Sequence, residues 1–95
     1  MTDQPISLTD RPRRHPDSSY RAIADEGGLV VLPGRSEVKV LNPVGVKVFS
    51  MLDGENTVEA IVAAVTAEFE VSIVQAGRDV QAFLGELSAQ GMLGE

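Results

Sequence analysis

Between Ser36 and Gly54 the hydrophobic pattern changes period. From Ser36 to Leu41 the residues alternate, with Glu37 and Lys39 on one side and Val38 and Val40 on the other, which is the period of a half-exposed strand. Beyond Asn42-Pro43 the apolar residues fall at Val44, Val48, Phe49 and Leu52, one stripe of a helix. Asn42 suits the N-cap because its side chain accepts from an orphan backbone N–H, and Pro43 suits the first helical position, where a missing N–H costs nothing. Asp53-Gly54 is predicted to stop this helix, glycine taking the left-handed position just past its end. A strand therefore runs straight into a helix, and the junction divides a β half from an α half.

In the β half, Tyr20–Asp25 has strand length and partial alternation, and Glu26-Gly-Gly28 supplies a turn. Leu29–Leu32 is a short continuous apolar run suited to a buried strand. Pro33-Gly34 fits the centre of a type II turn leading into the strand at 36–41. Short turns between three sequential strands predict an antiparallel meander with Leu29–Leu32 in the middle and Ser36–Leu41 at an edge. In the α half, Thr57 caps a helix whose apolar face is Val58, Ile61, Val62, Val65 and Phe69. Ser72-Ile-Val-Gln75 has capping-box spacing ahead of a stripe of Ile73, Ala76, Val80, Phe83, Leu84 and Leu87. Gly77 and Gly85 interrupt that third helix, Gly91 ends it, and Met92-Leu93 are expected to fold back on the core. Residues 1–19 are polar and hold three of the five prolines, so they read as a flexible arm ahead of a domain at 20–95. The element order is β-β-β-α-α-α, an α+β domain of the winged helix-turn-helix kind.

Composition narrows the function. Ninety-five residues make one small domain, and there is no cysteine for a disulfide, thiol nucleophile or thiolate metal site. No apolar run is long enough to span a membrane, the N-terminus does not read as a secretory signal, and the location expected is cytoplasmic. The net charge of −6 is uneven: residues 1–52 carry seven basic side chains against six acidic ones, whereas residues 53–95 carry Arg78 against eight acids. An acidic α half is poorly suited to a polyphosphate.

No constellation carries catalytic chemistry. His15 is the only histidine and stands in the proline-rich arm without partners for a triad or a metal. The glycine-rich phosphate loops and the nucleophile elbow are absent as motifs. The carboxylates of the α half are spaced as solvated helix faces, so no enzyme and no cofactor are expected. A winged helix raises DNA binding, in which the third helix enters the major groove, yet Asp79 and Glu86 accompany Arg78, Gln75 and Gln81 there and phosphate anchors are nearly lacking. DNA binding is thus the alternative, with a general protein adaptor beside it. The remaining site is the edge strand, whose unpaired N–H and C=O groups can accept an extended peptide.

The segments Val40-Leu-Asn-Pro-Val-Gly, Val48-Phe-Ser-Met-Leu-Asp-Gly54, Thr57-Val-Glu-Ala-Ile61, Asp79–Leu87 and Gly91-Met-Leu93 together resemble the PqqD-like family, over about residues 20–93. Its members are peptide chaperones, also called RiPP recognition elements, that bind the leader of a ribosomally made precursor peptide. The resemblance implies a winged helix-turn-helix, a leader docked antiparallel to the third strand and against the third helix, and a partner enzyme such as a radical SAM protein or a leader peptidase. Carried onto this chain, the strand positions are Glu37, Val38, Lys39, Val40 and Leu41, and the helix positions are Arg78, Asp79, Gln81, Ala82 and Gly85. Gly85 becomes a place where a bulky leader side chain approaches the helix.

Overall fold

A computed structural model describes residues 7–23, 26–31 and 38–94. The elements follow the predicted order: strands β1 (Ser19–Ala22), β2 (Gly28–Val31) and β3 (Val38–Leu41), then helices α1 (Pro43–Ser50), α2 (Val58–Phe69) and α3 (Ile73–Ala89). The sheet is antiparallel with order β1-β2-β3, so the apolar second strand lies in the middle. The expected Pro33-Gly34 turn lies outside the described residues.

Local chemistry fixes the helix starts. Asn42 Oδ1 accepts from the Gly45 N–H at 2.7 Å, with Pro43 at the first position of α1. Thr57 Oγ1 accepts from Ala60, and Ser72 Oγ from Gln75. The capping box at Ser72 is only half made: the Gln75 side chain does not reach back to Ser72 but donates forward to Asp79 Oδ1 at 2.9 Å. α1 also ends earlier than predicted. Met51 is its C-cap, and Asp53 instead begins the next turn, its Oδ1 accepting from the backbone N–H groups of Glu55 and Asn56. Gly54, at φ +81, belongs to that turn rather than to the helix end.

Helices pack against one face of the sheet. Val30 and Leu41 from the sheet meet Val48, Phe49 and Leu52 of α1 and its exit, the stripe Val58, Ile61, Val62, Val65 of α2, and Ala76, Val80, Leu84, Leu87 of α3. Met92 closes the core from the C-terminal side. Phe69 and Phe83 are partly buried at its margin, while Ile73, predicted on the α3 stripe, is exposed because the helix projects beyond the core at its first turn. At the β1–β2 turn, Gly27 has φ +117 and passes so close to the Leu41 carbonyl that any side chain there would collide with it.

The segment expected to be a flexible arm is hydrogen-bonded from Leu8 to His15. Leu8 O and Asp10 O accept from Glu59 and Val58, two of the orphan donors that start α2. Pro12 O accepts from Gly54, the Arg14 N–H donates to Leu52 O, Arg13 O accepts from Gly94, and the His15 N–H donates to Met92 O. The segment is thus a strap between the α1–α2 turn and the C-terminal residues. Arg14 extends it: its guanidinium donates to Phe49 O at 2.9 Å and Ser50 O at 3.2 Å, and lies over the rings of Tyr20 and Phe49. Those two rings meet edge to face at 5.4 Å.

Candidate functional site

The register decides what β3 offers. Across the sheet, Tyr20, Val30 and Lys39 form one row and Ala22, Gly28 and Leu41 the next; both face the helices. Ser19, Val31 and Val38 form a row on the opposite face, as do Arg21, Leu29 and Val40. The alternation expected for β3 is present, but the charged residue is the one turned toward the helices. Val38 and Val40 are 53% and 75% exposed, while the Lys39 side chain is 17% exposed and donates to Glu86 Oε1 of α3 at 2.7 Å. A lysine tolerates that position because its stem packs against apolar neighbours and its ammonium finds a carboxylate.

The same register gives the direction of the backbone groups. Ile23 donates to Gly27 O, which makes the pairs Ile23–Gly27, Arg21–Leu29 and Ser19–Val31 the ones that exchange hydrogen bonds between β1 and β2. Gly28 and Val30 then turn their backbone groups the other way, toward Leu41 and Lys39. By alternation, Val38 and Val40 both direct N–H and C=O away from β2, where no described strand pairs with them. They lie two residues apart and so necessarily share this direction.

Beside this edge runs a cleft of about 310 Å³, lined on the α1 side by Asn42, Val44, Gly45 and Val48 and on the α3 side by Asp79, Ala82, Phe83 and Glu86. Its floor is apolar and its α3 rim carries two carboxylates. Gly45 brings α1 close: a Cβ there would sit 3.3 Å from the Leu41 Cβ and 3.5 Å from Phe83. A second cleft of about 530 Å³ lies on the other side of α1, where Lys47 pairs with Glu68 at 3.0 Å.

The residues named from the sequence are distributed accordingly. Val38 and Val40 provide the free edge, Lys39 bridges to α3, and Leu41 is 3% exposed and belongs to the core. Glu37 lies outside the described residues. On α3, Asp79 and Ala82 line the cleft, whereas Arg78, Gln81 and Gly85 do not; a Cβ at Gly85 would meet nothing within 4 Å. Phe83, which the sequence places on the core stripe of α3 with the groove floor open to it, and Glu86, which the sequence places on a solvated face, both line the cleft. Asp79, Ala82, Phe83 and Glu86 recur at i, i+3, i+4 and i+7, a stripe beside the core stripe, and that spacing was the available signal.

Among the described residues no group of three or more histidine, cysteine or acidic side chains is placed to hold a metal, and no helix is long and apolar enough to cross a membrane. The carboxyl of Asp53 is held below its ordinary value by the N–H groups of Asn56 and Glu55, with Arg14 adding a smaller effect, but Asp53 does not line the cleft.

Comparison with known proteins agrees with this fold. The family described as coenzyme PQQ synthesis protein D (PqqD) matches residues 28–93. The structure of TbiB1 in complex with the TbiA(beta) leader peptide is similar at a TM-score of 0.74 and 25% identity, covering 85% of this chain and 93% of that one. The solution NMR structure of the PqqD truncation of Methylobacterium extorquens PqqCD, described as a functional and stand-alone RiPP recognition element, is similar in fold at a TM-score of 0.76 and 22% identity, covering 94% of each chain. No curated protein matches by sequence.

Proposed function

The chain belongs to the PqqD family, and from that premise we propose that it is a non-catalytic chaperone that binds the leader of a ribosomally made precursor peptide as a strand added to β3, and holds it for a modifying enzyme. The observation that carries this reading is the free edge of β3 beside the α1–α3 cleft: two residues with outward backbone groups, next to a pocket with an apolar floor. Backbone pairing supplies affinity with little demand on sequence, and the cleft supplies side-chain selection. The leader runs antiparallel to β3. Its contacts are Val38, Lys39 and Val40 on the strand, with Glu37 expected from the sequence and Leu41 anchoring the strand in the core, and Asp79 and Ala82 on the helix, joined by Phe83 and Glu86, with Arg78, Gln81 and Gly85 on the neighbouring face of α3. TbiB1, of like fold, is described with a leader peptide bound, which supports the reading. Strand addition needs no cofactor. The enzyme served is of the radical SAM or leader-peptidase class, and the setting is the cytoplasm, where a ribosomal product is first available.

The edge geometry gives a direct test. Val40→Pro removes an N–H that faces away from β2, so the fold should persist while leader affinity, read by calorimetry, falls about tenfold or more. Lys39→Pro removes an N–H directed at Val30 and should destabilise the domain by about 3 kcal/mol. Undiminished leader binding by a folded Val40→Pro variant would refute strand addition at this edge.

A further inference from the structure

The face of the sheet turned away from the helices is unusual for a solvated surface. Antiparallel sheets with one packed face ordinarily carry polar residues on the other, yet here Val31, Val38 and Val40 are exposed, with Leu29 half-buried among them and Ile23 exposed near the β1–β2 turn. The apolar character increases toward β3: the row Arg21–Leu29–Val40 begins charged and ends on the most exposed large apolar residue of the described chain. A face that becomes more apolar toward an open edge is complete only when something lies beyond that edge.

Resting on the leader reading above, the register identifies what does. Residues directly opposite one another on neighbouring strands share a face. Number four successive leader residues n to n+3 along an antiparallel added strand, with n opposite Leu41. Then n and n+2 point toward the helices, while n+1 and n+3 lie beside Val40 and Val38 on the exposed face. Residue n is adjacent to the cleft floored by Gly45 and Phe83, and n+2 faces the Lys39–Glu86 ion pair. We propose that the leader is selected on both faces of the extended sheet: an apolar residue at n enters the cleft, a polar residue at n+2 meets the ion pair, and β-branched apolar residues at n+1 and n+3 pack beside Val40 and Val38. Val38 and Val40 are then specificity residues through their side chains as well as pairing residues through their backbones. The rows Leu29–Val40 and Val31–Val38 each continue into the peptide.

The test uses a random 12-residue peptide library displayed on phage and selected against the full chain, its Val38→Glu variant and its Val40→Glu variant. Both positions are exposed, so the variants keep the core, which an amide NMR spectrum verifies. Against the natural chain, enriched peptides should share an apolar–β-branched–polar–β-branched tetrad, and alanine at n+1 or n+3 should weaken a selected peptide about two- to fivefold. Against Val40→Glu the residue at n+1 should change to lysine or arginine with n+3 unaltered. Against Val38→Glu the change should move two residues toward the peptide C-terminus, which also fixes the strand direction. Peptides that shift the amides of Val38–Leu41 but show no such exchange would overturn the two-faced selection while leaving the leader reading intact. Enrichment of no peptide, or only of peptides that leave those amides unmoved, would overturn both.

Discussion

Glu70 ends α2 in the left-handed region, at φ 55 and ψ 40, its N–H held by Thr66 O. It is the only non-glycine residue with positive φ among those described, and that conformation strains any residue with a Cβ. Glu70→Gly should therefore raise stability by about 1 kcal/mol in urea denaturation, since glycine is the natural occupant of such a helix end; a loss would mean that the carboxylate has a stabilising contact of its own. Asp53 makes a pH-dependent contribution. Its carboxyl is lowered in the folded chain by the Asn56 and Glu55 N–H groups, so the unfolded chain binds the proton more readily. The stabilisation is present above the ordinary value of 3.8 and is lost as pH falls through the lower folded value. Asp53→Asn keeps the Oδ1 acceptor of both bonds but removes the titration, so its stability profile should be flatter than that of the natural chain between 3.8 and the lower folded value. Equal slopes would assign the acid sensitivity elsewhere.

Short-range signals made the elements legible. Asn42, Thr57 and Ser72 each cap a helix through a bond to a residue three positions on, which a sequence displays directly. The i, i+3, i+4 stripes identified nearly all of the buried helix residues for the same reason. What stayed hidden depended on partners far along the chain. The period of β3 was visible, but which of its faces meets the helices follows from pairing with β2 and from Glu86, forty-seven residues beyond Lys39. The strap was equally hidden, because prolines in a polar segment look alike whether or not distant donors await their carbonyls. Arg14 shows what is at stake: it caps the α1 carbonyls of Phe49 and Ser50 while covering two aromatic rings. Arg14→Met preserves much of the stem but loses both bonds and the cation, and should lower stability by about 1–3 kcal/mol in thermal or urea unfolding. A variant as stable as the natural chain would show that the strap rests on its backbone bonds alone.

At the scale of the whole molecule, the helices and strap form a support and β3 forms its open margin. The strap closes the α1–α2 turn and the C-terminal residues, and none of its described residues lines the α1–α3 cleft, so that cleft and the β3 edge face outward together. The acidic α3 bordering the cleft, with Lys39 already engaged by Glu86, argues against a nucleic-acid backbone and for a peptide. The most direct measurement is an NMR titration of the isotopically labelled full chain with the leader half of a candidate precursor peptide, run beside a short DNA duplex. Strand addition predicts that the leader alone shifts the amides of Val38–Leu41 and Asp79–Glu86, with intermolecular contacts from the leader backbone to Val38 and Val40. Shifts centred on the strap or on the far side of α3, or a response to the duplex in place of the leader, would contradict it.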